Sequence, residues 1–216
     1  MSPAPRPALV PLLACLLLLL AACGGPDATA PALSPLPPGA TVLCFGNSLT
    51  YGAGAGGFDP RPGASYPEVL ASETGLNVIR SGVPGETTDR GLARLPGVLA
   101  AERPALVVLE HGGNDFLRGL PDAATEQNLA AMVRACREAH AQVLLLGVPR
   151  PGLLLKLHPV YQRVAEATGA VLDGELLPTL LADGNIKSDP MHFNVAGYEK
   201  MAQGVAATLR RLGALR

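Results

Sequence analysis

Tryptophan is absent from the 216 residues, and aromatic side chains make up only 4 % of them. A chain so poor in rings is a poor source of stacking platforms for single-stranded nucleic acid. Charge is sparse as well. Charged residues account for 16 %, and 17 Lys and Arg stand against 18 Asp and Glu, for an isoelectric point near 6.4. No Lys/Arg-rich run or basic stripe offers a footprint for a phosphate backbone, so nucleic acid is not an expected partner. Cysteines number four, and none stands at a spacing from His that suggests a zinc site. Apolar residues are plentiful, at 48 %. The length suffices for one sizeable domain with its own core.

The apolar residues are unevenly spread. "MSPAPRP" carries a single positive side chain, Arg6, and "ALVPLLACLLLLLAA" follows as a short apolar run. It is shorter than the ~20 residues that a membrane span prefers. This is the layout of a secretory signal over 1–22. Leu20-Ala21-Ala22-Cys23 is similar to a bacterial lipobox, which makes Cys23 the lipidated first residue of an exported lipoprotein. Ordinary cleavage or an uncleaved anchor are the other readings. Several acyl chains would hold such a protein on the membrane, since each buried methylene contributes ~0.8 kcal/mol. Gly24 after Cys23 is not the Asp associated with inner-membrane retention, so the outer membrane is favoured. Residues 23–40, rich in Pro, Gly and Ala, read as an extended tether with no order of its own.

From Thr41 onward strand-like and helix-like runs alternate. The strand candidates are 41–45, 77–83, 105–110, 142–148 and 170–173. Helical segments lie between them, and "NVAGYEKMAQGVAATLRRLG" reads as a last helix. Strands with little polar alternation suit a parallel sheet covered on both faces. The alternation predicts a doubly wound α/β domain over 41–213. Cys44 falls in a strand and Cys136 in a helix. Export would permit a disulfide, but two separate buried thiols are the expectation.

Ligands of such sheets bind beyond the carboxyl ends of the strands, and there the chemically versatile residues gather. Ser48 follows the first run. "SGVPGETT", with Gly82 and Gly85, follows the second. "HGGND", with Asn114 and Asp115, follows the third. "DPMHFN", with Asp189 and His192, precedes the final helix. A serine nucleophile needs a base, and the base needs an orienting group. The oxyanion it creates needs fixed donors, which backbone N–H groups and an Asn amide supply. Asp189 and His192, three residues apart, can meet across one turn. Each part also has a structural reading: Ser48 as a helix N-cap, "HGGND" as a tight turn, Asp189 as an Asx-turn residue. The elbow G-x-S-x-G is missing at Ser48, where the sequence is Gly46-Asn47-Ser48-Leu49-Thr50.

In these blocks the chain resembles the GDSL, or SGNH, family of serine hydrolases. "FGNSLTYG", "SGVPGETT", "LEHGGNDFLRG" and "DPMHFN" are similar in order and spacing to four of its blocks, across about 41 to 212. "GLARLPGVL" and "GGNDFLRG" resemble the bacterial periplasmic thioesterase, lysophospholipase and arylesterase subgroup. The resemblance implies a three-layer αβα, flavodoxin-like domain with a five-stranded parallel sheet. It implies Ser48 as nucleophile, His192 as base and Asp189 as its orienter. The oxyanion hole would be formed by the Ser48 and Gly85 N–H groups and the Asn114 side chain. No metal or organic cofactor is implied, and no obligate protein partner is evident. Asn47 departs from the family's usual Asp, and Arg80 stands where the subgroup often has Asn.

The function so implied is hydrolysis of a carboxylic ester or thioester through an acyl-serine intermediate. Phe116, Leu117 and Leu120, after the oxyanion Asn, are expected to line the acyl site, with Leu153, Leu154 and Leu155 as another apolar wall or simply as packing. An apolar lining favours medium acyl chains, lysophospholipids or aryl esters. The alternatives are an O-acetylesterase acting on envelope glycans and a lipid-binding lipoprotein without catalysis.

Overall fold

The computed structural model describes Met1, residues 32–152 and residues 154–216. The expected signal segment, Cys23 and Leu153 lie outside the described residues.

β1 (Thr41–Gly46) leads into a single helical turn, α1 (Ser48–Tyr51), and then α2 (Tyr66–Thr74). β2 (Asn77–Gly82), α3 (Thr88–Glu102), β3 (Leu106–Glu110), the short α4 (Gly113–Leu117), α5 (Asp122–Glu138) and β4 (Gln142–Leu146) follow. α6 (Pro159–Thr168), β5 (Val171–Asp173), α7 (Leu176–Ala182), a 3-10 turn (Gly184–Ile186) and α8 (Val195–Arg211) complete the chain. Among the described residues the five strands form one parallel sheet, in the order β2-β1-β3-β4-β5.

That order explains the layers. The chain steps from β1 to β2 in one direction, then from β2 across to β3, β4 and β5 in the other. Crossovers in such sheets are right-handed, so a reversal of direction sends the helices to the opposite face. α2 therefore packs with α8, beside α7, and α3, α5 and α6 pack together on the other side. The central strands are covered twice, which is why "LVVLE" in β3 is buried at every position although it does not alternate. β2 is an edge and keeps Asn77 and Arg80 exposed. The reversal point lies between β1 and β3, and their carboxyl ends, Gly46 and Glu110, are paired in register.

The strand expected over 142–148 stops at Leu146, and the Gly147 N–H closes the last rung of the β4–β5 ladder on the Asp173 carbonyl at 2.8 Å. Two short helices, α4 and α7, were not expected from the residue pattern, whereas a helix after β1 was one of the readings of Ser48. Cys44 and Cys136 are both buried free thiols, and burial pushes each up to about 12.

The tether corrects an expectation. Disorder was expected up to residue 40, but the described end of that segment is docked. The Leu33 and Leu36 N–H groups donate to the carbonyls of Leu212 and Ala214 at 3.0 and 2.9 Å. The Gln142 side chain accepts from the Ser34 N–H and donates to the Ser34 carbonyl. Leu33 is only 7 % exposed, within the core cluster. Pro-rich composition signals a chain without periodic structure, and says nothing of a single leucine that finds a hydrophobic slot.

Candidate active site

Gly46 ends β1 where a side chain could not fit: a Cβ there would lie 2.2 Å from the Glu110 carbonyl oxygen. Asn47 then caps α1, its Oδ1 accepting from the Leu49 N–H at 3.1 Å. Ser48 is thus the first residue of a helical turn, with the cap role taken by its neighbour. Asn47 is nearly fully buried, and its amide donates to Glu110 Oε1 at 3.0 Å. The Thr50 hydroxyl donates to Glu110 Oε2 at 3.2 Å. Burial drives the Glu110 carboxyl up to about 8, although those donors favour its charged form.

Asp189 and His192 arrive from the far end of the chain. Asp189 does form the Asx turn that its type suggests: Oδ1 accepts from the N–H groups of Met191 and His192 at 2.8 and 2.9 Å. Its other oxygen, Oδ2, stands 2.7 Å from His192 Nδ1, and His192 Nε2 stands 2.9 Å from Ser48 Oγ. Burial opposes ionisation of Asp189, but the hydrogen bonds from His192 and the turn outweigh it and hold the carboxyl below its usual range. An ionised Asp189 accepts only, so Nδ1 carries the proton and Nε2 is free to accept from Ser48.

Two contacts bring these distant loops together. The Tyr198 hydroxyl of α8 donates to the Ala53 carbonyl at 2.7 Å. Gly54, at φ +92°, lets Ser188 approach so closely that a Cβ would stand 2.1 Å from its hydroxyl. Phe193 is fully buried beside Tyr198, edge-on at 5.5 Å.

Gly85 has φ +74°, a left-handed conformation that turns the chain sharply after β2. Among the described residues, neither the Ser48 nor the Gly85 N–H donates to a protein acceptor. Asn114, in the first turn of α4, donates one amide hydrogen to the Glu86 carbonyl at 2.9 Å, leaving the other available. Asp115, beside it, is buried and accepts from the Thr88 N–H at the start of α3. The arrangement can take a proton from Ser48 and offer donors to a negative oxygen. Among the described residues no group of three or more His, Cys, Asp or Glu side chains is placed to hold a metal ion.

The expected acyl-site residues divide. Phe116 is partly buried and stacks flat on His158, ring centroids 3.8 Å apart. Leu117 and Leu120 are exposed, as is Leu154, whereas Leu155 packs against the core. Arg80 bonds the Tyr51 carbonyl and lies 3.6 Å from Glu68, so it fastens the end of α1. Sequence reasoning missed Glu86, Arg94, Glu110, His111 and His158. The acid in "GETT" and the Glu-His pair in "LEHGGND" were visible there, but their partners were not.

A sequence profile of the GDSL-like lipase/acylhydrolase family matches residues 44–200. The chain is 36 % identical to esterase TesA of Pseudomonas aeruginosa over 181 residues, covering 80 % of this chain and 89 % of that one. It is 28 % identical to thioesterase 1/protease 1/lysophospholipase L1 of Escherichia coli K12 over 180 residues, 80 % of this chain and 84 % of that protein. The crystal structure of TesA superposes with a TM-score of 0.68 at 32 % identity, over 80 % of this chain and 99 % of the other. That of AlinE4, an SGNH-hydrolase family esterase, gives 0.59 at 29 % identity, over 82 % and 97 %. This chain therefore belongs to the GDSL-like lipase/acylhydrolase family. Its class of activity is that of a serine ester hydrolase.

Proposed function

We propose that Ser48 is the nucleophile of this hydrolase, His192 its general base and Asp189 the orienting carboxylate. The observation that carries this is the unbroken chain from Asp189 Oδ2 through His192 to Ser48 Oγ, at 2.7 and 2.9 Å. Ser48 Oγ attacks the acyl carbonyl as its proton passes to Nε2. The Asp189 carboxylate stabilises the imidazolium so formed. The negative oxygen is held by the Ser48 and Gly85 N–H groups and the free amide hydrogen of Asn114. His192 then protonates the leaving alcohol or thiol, and a water activated by the same nitrogen releases the acid.

The substrates this reading favours are acyl thioesters, aryl esters and lysophospholipids. The relatives named for esterase, thioesterase and lysophospholipase activity support it, as do the exposed Leu117 and Leu120 on the turn that follows Asn114. The chain works as an exported lipoprotein, anchored through acyl chains on Cys23, with the outer membrane its favoured site. The lipobox-like Leu20-Ala21-Ala22-Cys23 supports that assignment.

A fluorophosphonate probe and a series of p-nitrophenyl esters of graded chain length test the chemistry. Labelling lost in Ser48→Ala, with turnover rising towards medium chains, is expected. Turnover confined to acetyl esters would select an O-acetylesterase instead, and a wild type that neither labels nor turns over would select a lipid-binding protein. Mass spectrometry of the mature N-terminus tests the anchor; an unmodified Cys23 would overturn it and leave the enzyme untouched.

A further inference from the structure

The three turns that carry Ser48, Gly85 and Asn114 are rich in glycine. Gly85 at φ +74° and Gly112 at φ +107° provide sharp corners, and such corners are intrinsically loose. Donors of an oxyanion hole work only when held about 2.7–3.1 Å from the point where the charge develops. Something other than these backbones must hold them.

A largely buried cluster lies on the α3 side of the turns. The Glu86 side chain, 6 % exposed, receives both bonds of the Arg94 Nε–H, at 2.8 and 2.9 Å to its two oxygens. His111 Nε2 lies 3.1 Å from Glu86 Oε2, and His111 is fully buried. Burial works against the Glu86 charge, but the bonds from His111 and Arg94 outweigh it and hold the carboxyl below its usual range. An ionised carboxylate only accepts, so the His111 proton sits on Nε2. His111 Nδ1 is buried with no partner among the described residues, which leaves Glu86 as the ring's one polar contact. α3 makes room for this ring with Gly91, where a Cβ would stand 2.4 Å from His111 Nε2. Arg94 reaches further. It donates to the Ser81 hydroxyl and carbonyl at 2.7 and 3.0 Å and to the Gly46 carbonyl at 3.2 Å, with its guanidinium 3.8 Å over the Phe45 ring.

We propose that Glu86, gripped between Arg94 and His111, is a positioning residue that locks the nucleophile turn and both oxyanion turns into one register. The links are all on the same residue or one bond away. Its carbonyl holds the Asn114 amide at 2.9 Å, and its N–H is the next after that of Gly85. Its carboxylate holds His111, three residues before Asn114. Through Arg94 it reaches Gly46, two residues before Ser48. The inference rests on the oxyanion and nucleophile roles given above. A cluster that served stability alone would contribute equally to free enzyme, Michaelis complex and transition state. A positioning cluster acts on the transition state, so its loss lowers kcat and leaves KM.

The experiment uses the full chain with p-nitrophenyl butyrate as substrate and butylboronic acid as a probe whose tetrahedral adduct on Ser48 fills the hole. Glu86→Gln and His111→Leu are each expected to lower kcat about 10- to 100-fold, the range for donors misplaced by ~1 Å. KM should stay within about threefold, and boronic acid inhibition should weaken by the same factor as kcat. His111→Gln, which keeps a donor towards Glu86, should recover kcat to within about fivefold. Wild-type kcat and boronic acid inhibition in Glu86→Gln and His111→Leu, measured well below their melting temperatures, would overturn the proposal, as would a loss carried by KM alone. Ser48→Ala runs beside them: if it kept full turnover, the nucleophile assignment would fall and the positioning role with it.

Discussion

The Asn47 amide donates to Glu110 Oε1 at 3.0 Å, in a place where Asn47 is 4 % exposed and Glu110 is not exposed at all. Asn47 thus has two tasks. Its oxygen caps the turn of Ser48, and its NH₂ group serves a buried carboxyl. An aspartate at 47 would keep the first task and set two carboxyl groups side by side, of which one must stay protonated. With Glu110 already pushed up to about 8, that demand is met near neutrality. Asn47→Asp is therefore expected to change kcat/KM at pH 6–7 by less than about tenfold, or ~1.4 kcal/mol. Above pH 8 it should lose stability faster than wild type. Urea unfolding and kinetics between pH 6 and 9 decide it. An inactive wild type rescued by the substitution would contradict the structural role given to Asn47.

Glu110 itself sets a pH dependence of stability. Its folded value, about 8, lies above the ordinary 4.5. Between those values the native state holds a proton that the unfolded chain has released, so stability falls as pH rises through this window. Glu110→Gln removes the titrating group and should flatten the slope between pH 5 and 8. Urea midpoints at the two pH values measure it; an unchanged slope would assign the dependence elsewhere.

Turnover should respond in graded fashion to the four site residues. Ser48→Ala and His192→Ala are expected to cost ~10⁶ in kcat, as losses in comparable triads do. Asp189→Ala should cost less, ~10⁴, because His192 remains but is poorly oriented. Asn114→Ala should cost about 10²–10³, the usual effect of one oxyanion donor. Steady-state kinetics on one aryl ester checks the order. Substantial activity in Ser48→Ala would refute the assignment.

Removal of residues 1–38 should destabilise the domain without slowing it. Leu33 is buried and its segment bonds to Gln142, Leu212 and Ala214. Gln142 opens β4 and so lies at the end of the sheet away from Ser48. Burial of one leucine is worth about 1.5–3 kcal/mol, partly offset in the full chain by the entropy cost of ordering the segment. A Tm drop of about 5 °C is expected, with kcat within about twofold of the full chain. Differential scanning calorimetry reads the first, and an unchanged Tm would show that the docked segment contributes nothing.

Much of this protein was legible in its residues because the relevant information is local. Runs such as "LVVLE" announce a doubly covered strand, since both faces must be apolar. Asp189 and His192 lie one turn apart, so their meeting needed no knowledge of the fold. Ser48, Gly85 and Asn114 follow successive strands, and a parallel sheet delivers the ends of its strands to one edge. The rest was decided by tertiary structure. Glu86 and His111 are 25 residues apart, and Asn47 and Glu110 are 63 apart. Only the order β2-β1-β3 brings those turns side by side. A buried carboxyl is costly alone and useful when held by donors. No local pattern says which donors, because they come from strands and helices whose neighbours are chosen by the packing of the whole domain.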